Sequence, residues 1–209
     1  MKKLNKRGFT LVELIVVIAI LGVLVAILVP TLLGYAQSSR VTSANSTAAN
    51  VKKFINNYLT TADSKDYGMK PSSDSETEVE IIVTNKNWTV TVGDHTMFLS
   101  GDLSWDGNGA GKFGDTISSV TSAEDELAIQ LANALPDIDK AYIKCYFQAG
   151  SCKYLYITTD TNAEITMPEF SDSCWEDKMY VWDGHAQGIN SDGFVVGTAP
   201  QLALATKTE

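Results

Sequence analysis

Residues 6–30 read KRGFTLVELIVVIAILGVLVAILVP, and the reading of this stretch decides the architecture. A short basic run, Lys2, Lys3, Lys6 and Arg7, is closed by Gly8. Over residues 9–29 the only polar side chains are Thr10 and Glu13. At ~1.5 Å per residue a helix of this length crosses the roughly 30 Å hydrocarbon core of a bilayer. The positive charges precede the run, which predicts an N-terminus inside the cell and a C-terminus outside. A cleaved secretory signal has a similar pattern. The run is longer than an ordinary signal core, however, and no A-x-A-like site follows it. Glu13 marks a function, because a carboxylate in a bilayer costs a few kcal/mol and normally has a partner. Pro30 breaks or bends a helix unless local structure rescues the freed carbonyl.

The hexapeptide Gly8-Phe9-Thr10-Leu11-Val12-Glu13 resembles the cleavage and methylation motif of type IV prepilins and type II secretion pseudopilins. The resemblance covers residues 6 to about 36, and within it Glu13, Gly22, Pro30 and Tyr35 stand where the family carries recurrent residues. It implies that a prepilin peptidase cuts between Gly8 and Phe9 and that Phe9 is N-methylated. It implies a type IV pilin-like fold of class α+β, a long N-terminal helix packed on an antiparallel β-sheet head. Three segments follow. Residues 1–8 are a cleaved leader, residues 9–61 a helix whose part 9–29 is transmembrane and later filament core, and residues 62–209 the globular head. The implied partners are other copies of the chain in a homopolymer, the peptidase, the assembly platform with its ATPase, and the membrane before assembly. Glu13, Gly22 and Pro30 become assembly residues, and Glu13 of one subunit would pair with the α-amine of Phe9 on another. The implied location is the cytoplasmic membrane first, then an extracellular pilus filament serving adhesion, motility or DNA uptake. A surface ligand stays open. A minor pilin or adhesin, or a type II secretion pseudopilin, would share the same N-terminus.

Composition narrows the remaining classes. Removing residues 1–8 leaves 201 of 209 residues and takes away four basic side chains, moving the formal charge from −9 to −13. So acidic a product disfavours simple electrostatic binding to nucleic acid or anionic lipid. Beyond the apolar run, Val41, Ala44, Ala48, Val51, Ile55 and Tyr58 recur at helical spacing. They predict an amphipathic continuation whose stripe packs on the head. Lys52, Lys53, Asn56 and Asn57 lie away from that stripe. Ser, Thr and Asn over residues 38–50 make the helix weak in isolation, so it must lean on something.

From residue 76 the period changes to two. Residues 79–84 and 88–92 are β-rich and separated by Asn85-Lys86-Asn87, which predicts a hairpin. Residues 96–99 predict a further strand. The glycine-rich stretch 101–115, GDLSWDGNGAGKFGD, reads as a loop. Ser122-Ala-Glu-Asp125 is a capping pattern, followed by Leu127, Leu131 and Leu135 on one face of a short helix that ends before Pro136. Residues 141–147 and 153–159 predict a second hairpin, with Tyr142, Tyr146, Tyr154 and Tyr156 suited to a pleated surface. Short strands are expected at 165–167 and 179–182.

Cys145, Cys152 and Cys174 all fall in the exported part, where disulfides are permitted, and the odd count leaves one thiol over. With a turn centred near Gln148-Ala149, Cys145 and Cys152 would lie opposite each other. A bond from either to Cys174 is the other arrangement, and resembles the C-terminal disulfide loop of many pilins. Asp102, Asp106 and Asn108 are oxygen donors in a glycine-rich loop, but the EF-hand positions that need further ligands hold Ala110 and Ile117. A solvated loop is the simpler reading, so no metal and no cofactor is expected. Residues 190–193 carry a short likeness to the calcium site of major pseudopilins. Gly109-Ala-Gly-Lys112 is no phosphate loop, since Asp106 replaces its first glycine and Phe113 its Ser/Thr. Neither H-E-x-x-H nor G-x-S-x-G occurs, and His95 and His185 lack a partner pattern. No catalytic residue is assigned, and an enzyme is not expected.

Overall fold

The computed structural model describes residues 10–64, 77–93, 103, 105, 107–159, 179–180 and 195–204. Helix α1 runs Leu11–Ser64. Strands β1 (Thr77–Thr84), β2 (Asn87–Val92) and β3 (Asn108–Lys112) follow, then a 3-10 turn (Ile117–Ser119) and helix α2 (Ala123–Ala134). The chain continues through β4 (Lys140–Gln148), β5 (Ser151–Thr158), β6 (Met179–Tyr180), β7 (Val196–Ala199) and β8 (Ala203–Leu204). Two compact units result, residues 1–39 and residues 40–209.

Within the second unit an antiparallel sheet has the order β3-β2-β1-β4-β5-β7, and β6 and β8 form a separate parallel pair. The α+β class read from the residues is what the chain adopts. The stripe on α1 is the reason the sheet has a covered face. Ala48, Val51 and Ile55 are fully buried and Tyr58 nearly so, joined by Leu59 and Ala62 one turn on. They pack on Val79, Ile81, Val83, Val90, Ile143, Cys145, Phe147, Leu155 and Ile157, the inward residues of alternating strands. Helix α2 adds Leu127, Ala128, Leu131 and Ala132 to the same core. Ser122 caps it as predicted, its hydroxyl accepting the Asp125 N–H at 3.1 Å. Tyr58 spans the two helices, donating its hydroxyl to the Ala123 carbonyl at 2.9 Å.

Several expectations change. Stretch 101–115 is not all loop, because residues 108–112 form β3, paired to β2 with Thr89 opposite Ala110. The glycines belong to packing: a Cβ on Gly109 would stand 2.3 Å from the Asp125 nitrogen, and one on Gly111 2.5 Å from Ile129 Cγ1. Glycine at every second position therefore lets α2 lie directly on the strand. The first hairpin closes with Asn85 and Lys86 alone, both at positive φ (50° and 63°), and Asn87 already pairs with Thr84. This is the double left-handed loop that matches strand twist. The second hairpin turns on Ala149-Gly150, one residue later than expected, again with both at positive φ (50° and 74°).

That shift, with an irregularity between Tyr146 and Phe147, overturns the facing of the two cysteines. Cys145 stands opposite Leu155, and Cys152 opposite Phe147. Both are buried free thiols in this structure, their side chains in hydrogen-bond contact with each other. Cys174 lies outside the described residues, as do Thr96, Leu99, the stretches 165–167 and 190–193, His95, His185, Trp175 and Trp182. Lys52 and Asn56 do not face away from the head. Asn56 Oδ1 accepts the Cys152 N–H at 2.8 Å, and Lys52 Nζ donates to the Lys153 carbonyl. Strands β7 and β8 were not expected at all. Gly197 lets β7 approach α1, since a Cβ there would stand 2.1 Å from the Ala44 carbonyl oxygen.

Candidate functional site

The first unit displays the site. From Leu11 to Tyr35 every large apolar side chain of α1 is exposed, between 46% for Val17 and 76% for Tyr35. Mean hydropathy over its most apolar 18 residues is 3.2, and none of that window is buried. A helix apolar on all sides needs a membrane or other helices around it. Fully burying each Leu, Ile or Val contributes roughly 1.5–3 kcal/mol, so such a surface does not persist in water.

At the start of this surface Thr10 and Glu13 close a reciprocal cap. Glu13 Oε2 accepts the Thr10 N–H at 2.8 Å and the Thr10 hydroxyl at 2.7 Å, while the Glu13 N–H donates to Thr10 Oγ1 at 3.3 Å. Residue reading took Glu13 for its charge alone. The T-x-x-E spacing of a capping box was the signal for its second role. Gly8 and Phe9 lie outside the described residues. Helix α1 continues through Pro30, and the Thr31 hydroxyl donates to the Leu28 carbonyl at 2.8 Å beside it. A Cβ on Gly22 or Gly34 would meet nothing within 4 Å. No packing inside the subunit requires glycine at either position.

In the head the other candidates scatter. Asn108 begins β3 on its exposed side; Asp102 and Asp106 lie outside the described residues. Among the described residues no group of three His, Cys, Asp or Glu side chains is placed to hold a metal. Trp88 is core, and Trp105 meets Tyr58 and Phe147 edge-on at 6.2 and 6.4 Å. The four tyrosines of β4 and β5 share the sheet face turned away from α1, as their alternation requires. There Tyr142 donates to Glu80, and Lys144 pairs with Glu78 at 2.7 Å. Burial, then the Glu80 hydrogen bond, raises the Tyr142 hydroxyl well above its ordinary value. Burial does the same to Tyr156 and to the Cys145 thiol.

The family comparison falls on the first unit. The family model described as the prokaryotic N-terminal methylation motif matches residues 3–29. The chain is 33% identical over 86 residues to the fimbrial protein EcpC of Eikenella corrodens, a match covering 41% of this chain. The chain thus spans about half of that relative, 53% of its length. No solved structure matches. The N-terminus thus carries a prokaryotic N-terminal methylation motif, the kind of signal found on prepilins, and the chain as a whole has an α+β fold. The motif implies processing by prepilin peptidase and assembly, and the apolar helix is consistent with a membrane stage before a pilus stage.

Proposed function

We propose that this chain is the structural, non-enzymatic subunit of a type IV pilus, cut between Gly8 and Phe9, N-methylated on Phe9, and polymerised through α1. The observation that carries this reading is the exposed apolar surface Leu11–Tyr35, which begins inside the methylation motif. Before assembly the bilayer solvates that surface. In the filament, neighbouring copies of the same helix replace the lipid, and the burial holds the polymer together. The distant fimbrial relative supports the same direction.

Glu13 then has two successive partners. In the single chain its carboxylate caps its own helix through Thr10. In the filament it pairs with the α-amine of Phe9 on an adjacent subunit, a charge pair in a dry site that sets register. Gly22 and Pro30, both poor helix formers inside α1, are the places where the helix yields as subunits pack.

Electron microscopy of sheared surface filaments, with mass spectrometry of their subunits, tests the reading. It holds if this chain dominates the filaments and begins at N-methylated Phe9. A rare chain within abundant filaments would make it a minor pilin, and a chain confined to the membrane would make it a pseudopilin. A retained segment 1–8 would remove the basis of the assignment.

A further inference from the structure

Both outer strands of the sheet end against side chains from the helical layer or an adjoining loop. On β3 the Gly107 carbonyl accepts the Val92 N–H at 3.0 Å. Gly109 and Gly111 share its parity and turn their backbone groups toward β2, so Asn108, Ala110 and Lys112 turn theirs outward. Two of these three outward N–H groups meet side-chain acceptors. Ala110 donates to Asp125 Oδ1 at 2.7 Å, and Lys112 to Asp115 Oδ2 at 2.9 Å. At the other edge, the outward N–H of Thr198 in β7 donates to Asn45 Oδ1 at 2.8 Å. These acceptors come from three places in the chain, the first turn of α2, the loop after β3, and α1. They converge on the same kind of group.

An edge strand with unpaired N–H groups is a template for another strand, and proteins that must stay separate blunt it. Here the blunting is chemical. Two carboxylates make charge-assisted hydrogen bonds, stronger than those an incoming carbonyl could offer in exchange. We propose that Asp125 and Asp115 on β3, and Asn45 on β7, are edge guards that prevent strand addition by a second copy of this chain. Head-to-head sheet growth is thereby opposed at these three amides. Taken with the proposed pilin function, on which this consequence rests, contact between copies is directed to α1.

The test uses the full chain in non-ionic detergent carrying Glu13→Ala, so that association through α1 is weakened and mass reports the sheet edges. Adding Asp125→Ala and Asp115→Ala is expected to at least double the mass seen by light scattering at high concentration. Asp125→Asn, which keeps an acceptor, stays at the parent mass. Ala110→Pro, placed in a chain carrying Asp125→Ala alone, returns it to the parent mass because proline has no N–H to offer. A double-alanine chain that keeps its circular dichroism and cooperative melting yet gains no mass overturns the proposal. Should that chain not fold, hydrogen exchange on the unmodified protein decides instead. The Ala110 and Thr198 amides are expected to exchange at least tenfold more slowly than open edge amides, and equal rates overturn the guards. Failure of filaments in the Glu13→Ala background bears on the pilin reading alone.

Discussion

Glu13 is a carboxylate in an otherwise apolar helix, and its two hydrogen bonds from Thr10 show how one chain tolerates it alone. Glu13→Ala is therefore expected to leave membrane insertion intact, since the apolar run is unchanged, while surface filaments are lost. Membrane fractionation alongside filament counts checks this, and normal filaments from the variant would sink the register role. A second residue-scale case is Ala149. Its φ of 50° lies in the left-handed region, which costs an alanine roughly 1 kcal/mol, whereas Asn-Gly is the favoured pair for such a loop. Ala149→Asn is expected to stabilise the protein by about 0.5–1 kcal/mol, seen as a Tm rise of a few degrees. The side chain is exposed and borders no described contact, so an unchanged or lower Tm would contradict the turn geometry.

Among elements, the glycines separate into two groups that composition cannot distinguish. Gly197→Ala forces a Cβ to 2.1 Å from a backbone oxygen of α1, and Gly109→Ala one to 2.3 Å from a backbone nitrogen of α2. Neither neighbour is a flexible side-chain end, so each substitution is expected to destabilise by about 2–3 kcal/mol. Gly22→Ala meets nothing and is expected not to lower the melting temperature, since alanine favours the helix by about 1 kcal/mol. Side-by-side melting curves of the three variants test that division. Asn56 is a polar analogue, an acceptor on α1 that serves a β5 amide. Asn56→Ala leaves the Cys152 N–H without that acceptor and should cost about 1–3 kcal/mol, while Asn56→Asp should cost less.

For the whole molecule, the tyrosine-bearing sheet face makes stability depend on alkaline pH. Tyr142 and Tyr156 both have hydroxyl pKa values raised above the ordinary 10.0, so the folded chain favours their protonated forms. The unfolded chain releases those protons first. Their contribution is therefore fully present below about pH 10 and is lost as pH rises from there toward the folded values. Melting temperatures from pH 8 to 11.5 should fall chiefly above pH 10, and less steeply in Tyr156→Phe. A decline centred well below pH 10 would point to other groups. At this scale, too, much was legible beforehand. The apolar run, the methylation motif, the α1 stripe, the α2 cap and both hairpins all rest on local pattern, where a few neighbouring residues carry the signal. What local pattern missed is equally specific. Residues 108–112 look like a loop because their glycines were selected by a helix that follows them in sequence. The Cys145–Cys152 facing failed because one turn residue and one strand irregularity move the register, and neither has a compositional mark. Asn45 and Asn56 carry no local sign of the strand amides they serve, and Asp125 reads only as part of a helix cap. The sequence by itself thus determined that the chain carries an apolar N-terminus with a methylation motif and an α+β head. Only the tertiary structure decided which glycines are contacts, which thiols face which neighbours, and how the sheet ends, because each depends on backbone groups far apart in the chain meeting within about 3 Å.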